Sequence, residues 1–285
     1  MGKQYSMVIA AKNLFDSVGD EAYEGYLCLK DHVIAKVGTG KPEQKILDDA
    51  QQVFQFEEEL VMPGITDTHT FFTGYVVFHI GADVSKVRSS EEGLEVLKVY
   101  EEEKHPAGAL FGHGWDPGQW SRQDGERMLE ENYSERPVIL FAADRSTCIM
   151  NRKAREVYQF TPEECYPESY YRIMREYLND RDFIRQEFSA YMDIMNARGV
   201  TTLKEMGFDD FYGFTDFLKE MEDSEKLHLR IFFMSQPVGE KMNLEYARRM
   251  RDLFTGDKVR FSGFNRMTDG TIAAYKGDLK EPYEN

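Results

Sequence analysis

Leu60-Val61-Met62-Pro63-Gly64-Ile65-Thr66-Asp67-Thr68-His69-Thr70-Phe71 is the stretch whose reading decides the fold. An apolar strand breaks at Pro-Gly, resumes, and carries Asp67 and His69 to its carboxyl end. Residues two apart on a strand share a face, so Asp67, His69 and Phe71 project to one side. Upstream, Ser6 to Ala11, Gly25 to Lys30 and Val33 to Val37 are short apolar runs. Turn residues separate them (Asp31-His32, Gly38-Thr39-Gly40), which predicts a small antiparallel β unit over residues 1–60. Downstream the pattern becomes strand–helix alternation. Helices are expected at Ser89 to Lys104, Pro167 to Arg198 (stopped by Gly199), Phe211 to Glu222 and Leu244 to Phe254. Strands are expected at Ala109 to Phe111, Val138 to Ala143, Val200 to Leu203, Leu229 to Met234 and Val259 to Phe264. Such alternation predicts an α/β fold of parallel strands with crossover helices, either an open sheet or a (β/α) barrel over residues 61–285. In a barrel the chemistry sits at strand carboxyl ends, where His69 falls. A closed barrel takes eight strands, whereas about five or six are legible after residue 60, so the barrel reads as partial and truncated.

Composition narrows the partners. The chain has 285 residues, 41% hydrophobic and 30% charged, and a formal net charge of -16. That field repels nucleic acid and anionic membranes, and no apolar run approaches the roughly 20 residues that span a bilayer. Glu57 to Glu59, Glu101 to Glu103 and Glu130-Glu131 read as solvated faces. Cys28, Cys148 and Cys165 are odd in number and far apart, which suits free thiols in a reducing cytoplasm. The start, Met1-Gly2-Lys3-Gln4-Tyr5-Ser6, fits the loose myristoylation pattern as well as an ordinary cytosolic beginning.

Several further segments carry chemistry: Gly112-His113-Gly114-Trp115-Asp116-Pro117-Gly118-Gln119-Trp120, then Asp144-Arg145-Ser146-Thr147-Cys148-Ile149-Met150-Asn151. Gly199-Val200-Thr201-Thr202 and Phe264-Asn265-Arg266-Met267-Thr268-Asp269-Gly270, with Glu281-Pro282-Tyr283 beyond, complete the set. Together with the opening stretch, this order resembles the front half of the amidohydrolase superfamily of metal-dependent hydrolases. The Gly112–Trp120 segment is similar to N-substituted formamide deformylases in particular. The resemblance implies that residues 1–60 form part of a β-sandwich. It also implies a divalent metal, zinc foremost, held by a His-x-His pair and a carboxylated lysine.

Three positions depart from that pattern. Phe71 stands where the second histidine belongs, Ser146 where a histidine is usual, and Asn265 where the lysine would be. Of the ligands expected in this half only His69 remains. The resemblance further places His113, Trp115, Asp116 and Trp120 at a small-molecule pocket, with Asp67 and Asp144 as supporting groups; Lys204-Glu205, at the carboxyl end of the strand after Gly199, offers a substitute carboxylate or lysine or a further supporting group. Each has a plainer reading: Trp115 and Trp120 as packing anchors, Asp67 as a turn acceptor, Lys204-Glu205 as an exposed charge pair, Cys148 as an inert core thiol. His32, His79, His105 and His228 read as surface or core residues. Tyr170-Tyr171 and the aromatics of 208–217 read as helix packing.

Three functions stay open on these residues. One is hydrolysis of an amide-like, non-peptide C–N bond of a small molecule. Another is a catalytically impaired relative that binds a small molecule or partner without turnover. The third is a gene fragment whose uncovered barrel edge drives homo-oligomerisation.

Overall fold

The computed structural model describes all residues except 1, 77–78, 107, 166–171, 174–175, 177–179, 207–213, 237–240, 267, 270–276 and 284–285. Contacts divide the chain into two compact units, Met1–Ile65 and Thr66–Asn285.

The first unit is a four-stranded sheet. Its strands are β1 (Tyr5–Leu14), β2 (Tyr23–Lys30), β3 (Val33–Thr39) and β4 (Ala50–Val61), with a short helix α1 (Gln44–Asp48) before β4. The order is β3-β2-β1-β4. β1 pairs with β2, and β2 with β3 across the tight Asp31-His32 turn, in antiparallel fashion. β4 runs parallel to β1, from Tyr5 opposite Ala50 to Leu14 opposite Val61, so the unit is mixed rather than purely antiparallel. Val8, Tyr26, Cys28 and Ala50 form its small core.

The second unit opens with β5 (Ile65–Thr70), α2 (Phe72–Val76), β6 (Ala82–Asp83), α3 (Ser90–Lys104), β7 (Leu110–Trp115), α4 (Arg122–Asn132), β8 (Val138–Ala142), β9 (Cys148–Met150) and α5 (Arg152–Tyr158). A single 3₁₀ turn at Pro162–Glu164 follows, then α6 (Arg181–Asn196), β10 (Val200–Glu205), α7 (Phe214–Asp223), β11 (Arg230–Ser235), α8 (Leu244–Leu253) and β12 (Val259–Phe264). The strands form two sheets, β12-β11-β10-β5 and β6-β7-β8-β9. β10–β11, β11–β12, β6–β7 and β7–β8 are parallel, each joined by a crossover helix. This is an α/β fold with parallel-sheet segments of a (β/α) barrel, and among the described residues the barrel does not close.

More strands are present after residue 60 than the sequence revealed. β6 has two residues and β9 three, too short for any periodic signal. β9 also folds back antiparallel on β8, a hairpin the alternation did not suggest. Of the helix expected over Pro167 to Arg198, Arg172, Ile173 and Glu176 are helical, Asp180 is not, and Arg181–Asn196 forms α6, capped by the Asp180 carboxylate. Tyr170 and Tyr171, and residues 208–213 of the second aromatic stretch, lie outside the described residues.

Two apolar clusters hold this unit. One gathers Phe72, Phe188, Tyr191, Phe214, Phe217 and Phe233 around β5 and β10–β12. The other packs Trp115, Trp120, Leu97, Leu129 and Leu140 under α3 and α4. No described helix is long and apolar enough to cross a membrane.

Candidate functional site

The site region is built where β5 ends. Met206 donates its backbone N–H to the Thr70 carbonyl at 3.0 Å, which seats the end of β10 beside that of β5. Glu205, the last residue of β10, is 1% exposed. Its Oε1 accepts the Phe72 backbone N–H at 2.9 Å, and its Oε2 accepts the Thr70 hydroxyl at 3.1 Å. The reading of Lys204-Glu205 as an exposed loop pair therefore fails for Glu205, which shares the inward face of β10 with Leu203 at the strand's last turn inward. Burial pushes its carboxyl up to about 8, the two hydrogen bonds partly oppose that, and the nearby Asp67 carboxylate adds to it. Glu205 thus holds its proton near neutrality. In that state it can give it to the Thr70 oxygen while Thr70 turns its own hydroxyl to the Lys204 carbonyl, 3.3 Å away.

Asp67 and His69 precede this clamp. Asp67 Oδ1 accepts the His69 backbone N–H at 3.1 Å, with both residues inside β5 rather than in a turn. The His69 side chain is exposed and meets the edge of Phe71, ring centres 5.3 Å apart. Asn265 lies just past β12; its N–H bonds the Ser235 carbonyl at 2.8 Å and its Nδ2 reaches Gln236 Oε1 at 3.4 Å. Asp144 is occupied locally, Oδ1 accepting both the N–H and the hydroxyl of Ser146 at 2.9 and 2.8 Å. Those bonds hold its carboxyl below the usual range. Between them, Arg145 in the left-handed region (φ 61°) donates to the Gly74 carbonyl and ties the β8 end to α2.

The Gly112–Trp120 segment splits in two directions. Trp115 and Trp120 are 1% and 5% exposed and pack edge to face, with Trp115 Nε1 donating to the Trp120 carbonyl at 3.2 Å. Asp116 serves the following turn, accepting the Gly118 N–H at 2.8 Å. His113 faces elsewhere: its Nδ1 lies 3.1 Å from the Ile80 carbonyl and its Nε2 3.9 Å from Asp83. Burial holds its imidazole below the ordinary value. The structure therefore does not gather these four side chains around one pocket.

It does build a group that the sequence did not signal. His79 Nδ1 lies 3.3 Å from Glu187 on α6, and its ring stands 6.1 Å from that of His113. Tyr75 packs between His79 and Tyr191. Burial pushes the Glu187 carboxyl up, with His79 opposing. Glu187 sits on a helix far along the chain, so no local spacing could have paired it with His79. Cys148 is fully buried beside Cys165, which with burial raises its thiol well above the usual range, so it reads as core.

A catalytic zinc takes about three protein donors and an open position. Among the described residues, no three His, Cys, Asp or Glu side chains converge to hold an ion. Glu205 is already engaged by Thr70 and Phe72, and Phe71 and Asn265 offer no imidazole or carbamate. The described residues do not fit a complete metal centre.

A family model described as "Amidohydrolase family" matches residues 52–284. The chain belongs to the amidohydrolase family. Among solved structures, uncharacterized metal-dependent hydrolases from Pyrococcus horikoshii OT3 and Pyrococcus furiosus share the chain's fold, each with a TM-score of 0.64. They are 17% and 20% identical to it, identities that speak to fold alone. The matches cover 97% of this chain but only 58% and 59% of those chains, so it spans about three-fifths of their length. Comparison with curated proteins gives no match.

Proposed function

We propose that this amidohydrolase acts on an amide-like, non-peptide C–N bond of a small molecule. The observation that carries the reading is the family match over residues 52–284, in a fold that brings Asp67 and His69 to the carboxyl end of β5. The likeness of Gly112–Trp120 to N-substituted formamide deformylases narrows the substrate class to small N-acyl or N-formyl amines. In this reading His69 is one donor to a divalent metal, zinc foremost. Glu205 is a positioning residue: it fixes the turn from β5 into α2, and so the strand end on which His69 stands. The acidic surface suits a small-molecule partner in the cytoplasm rather than nucleic acid or a membrane.

A second reading is binding without turnover. The substitutions at Phe71, Ser146 and Asn265, with the lack of a three-donor cluster among the described residues, favour it. Release of free amine from a panel of N-formyl and N-acetyl amines separates the two. Hydrolysis predicts amine release that falls in His69→Ala. Saturable binding of the same amides without amine release would establish the second reading instead.

A further inference from the structure

In the first unit the two faces of the sheet differ in what covers them. Val8, Tyr26 and Cys28 point to one face, where Ile46 and Leu47 pack against them. The alternate positions form the other face, and the register aligns them in two rows across all four strands. Ile34, Leu29, Met7 and Gln52 make one row, and Val37, Leu27, Ile9 and Phe54 make the other. Apart from Gln52 every side chain in these rows is apolar, and none is charged. Ile34, Val37 and Phe54 are 55%, 47% and 45% exposed, and the residues on the two central strands are half-buried. A sheet with one solvated face alternates apolar and polar residues along its strands, whereas apolar residues on both faces mark strands covered on both sides. An open apolar face of this extent marks an interaction surface.

Size and charge point to what covers it. Four strands of seven to twelve residues give a face of roughly 20 Å by 25 Å, so two such faces together remove about 1,000 Å² from water, the lower limit for a specific protein interface. The stretches of this chain outside the described residues are at most seven long, too short to lay a sheet across it. A charged partner would meet no counter-ion in either row, and burying its charges there would cost free energy. A flat, uncharged apolar surface is instead complementary to itself, as a twofold contact requires. We propose that this face binds a second copy of the chain. The two sheets pack about 10 Å apart, as a β-sandwich with one layer from each copy. An interface of this size without ion pairs at its centre is expected to dissociate in the micromolar range. The net charge of -16 on each copy opposes association, so the dimer is expected to tighten as salt screens the copies from one another. The surface belongs to the first unit and does not depend on the proposed hydrolysis.

The test is sedimentation velocity of the full chain from low to high micromolar concentration, at low and at high sodium chloride. A monomer–dimer equilibrium that shifts toward dimer at high salt is expected. Phe54→Glu and Ile34→Glu each place a carboxylate in the apolar face and are expected to weaken the dimer at least ~tenfold. Their circular dichroism is expected to match the wild type, since both side chains already stand about half in solvent. Val18→Glu, in the loop between β1 and β2 and 89% exposed, is expected to change neither. A monomer at every concentration, an undiminished dimer in both face variants, or a dimer that weakens with salt would each overturn the proposal. A series of species beyond dimer would also overturn it, assigning association to the open edges of β3 and β4. So would a chain that stays monomeric yet cosediments with phosphatidylcholine vesicles, which assigns the face to lipid.

Discussion

Glu205→Gln removes the titration of the buried carboxyl while keeping its shape. Gln can still accept the Phe72 N–H through Oε1, and its amide can donate to Thr70, whose hydroxyl is then free for the Lys204 carbonyl. In the wild type the carboxyl's value rises from 4.5 to about 8 on folding because it is buried. Between those two values the folded protein keeps the proton and the unfolded chain releases it. Stability from this group is therefore fully present below pH 4.5 and is lost as pH rises through about 8. At ~1.4 kcal/mol per pH unit, the loss between pH 5.5 and pH 8.0 is about 3 kcal/mol. The assay is guanidinium unfolding of both proteins at those two pH values, taking the difference between them. Groups with smaller shifts, such as Glu187 and His113, contribute equally to both and cancel. The wild type is expected to lose about 3 kcal/mol more than Glu205→Gln over this range. Parallel losses in the two proteins would refute the burial argument.

Three more outcomes follow from particular contacts. Asn151 is fully buried, with Oδ1 accepting from Val138 and Ala154 and Nδ2 donating to the Tyr133 and Arg136 carbonyls; Asn151→Asp turns the last two into repulsions and is expected to cost about 3 kcal/mol or more in equilibrium unfolding. Gly81 has φ 75° and a Cβ there would fall 1.8 Å from the Phe111 carbonyl oxygen, so Gly81→Ala is expected to lower stability by about 2–4 kcal/mol and to disturb the adjoining Ile80–His113 contact, visible in the His113 titration by NMR. Phe71→His puts a second imidazole where the ring already stands 5.3 Å from that of His69, near the separation of two imidazoles on one ion; cobalt(II) titration is expected to show tighter binding than in the wild type, and no change would mean the pair does not converge.

The elements legible in the sequence were those with strong periodicity or punctuation. The Pro63-Gly64 break before β5, the Ser89 cap of α3 and the Gly199 stop before β10 lie where their chemistry placed them. β4 was legible only at its last residues, because Gln51, Gln52, Gln55 and Glu57 to Glu59 face solvent and give no apolar signal. At the site, the Phe71 and Asn265 substitutions could be read directly. The Glu205 clamp could not, since a charged residue after Lys204 reads as surface unless its strand register is known. The His79–Glu187 pair joins positions more than a hundred residues apart, and only the tertiary fold brings them together. Asn151 was visible as part of a motif, but its four hydrogen bonds make it a structural staple rather than a site residue.

Amine release from a panel of N-formyl and N-acetyl amines, by the purified full chain beside His69→Ala, tests the proposed hydrolysis most directly. The expected result is release of free amine that falls at least ~tenfold in the variant, as loss of a group acting on the reaction would give. Saturable binding with no amine released, or release unchanged in His69→Ala, would contradict it.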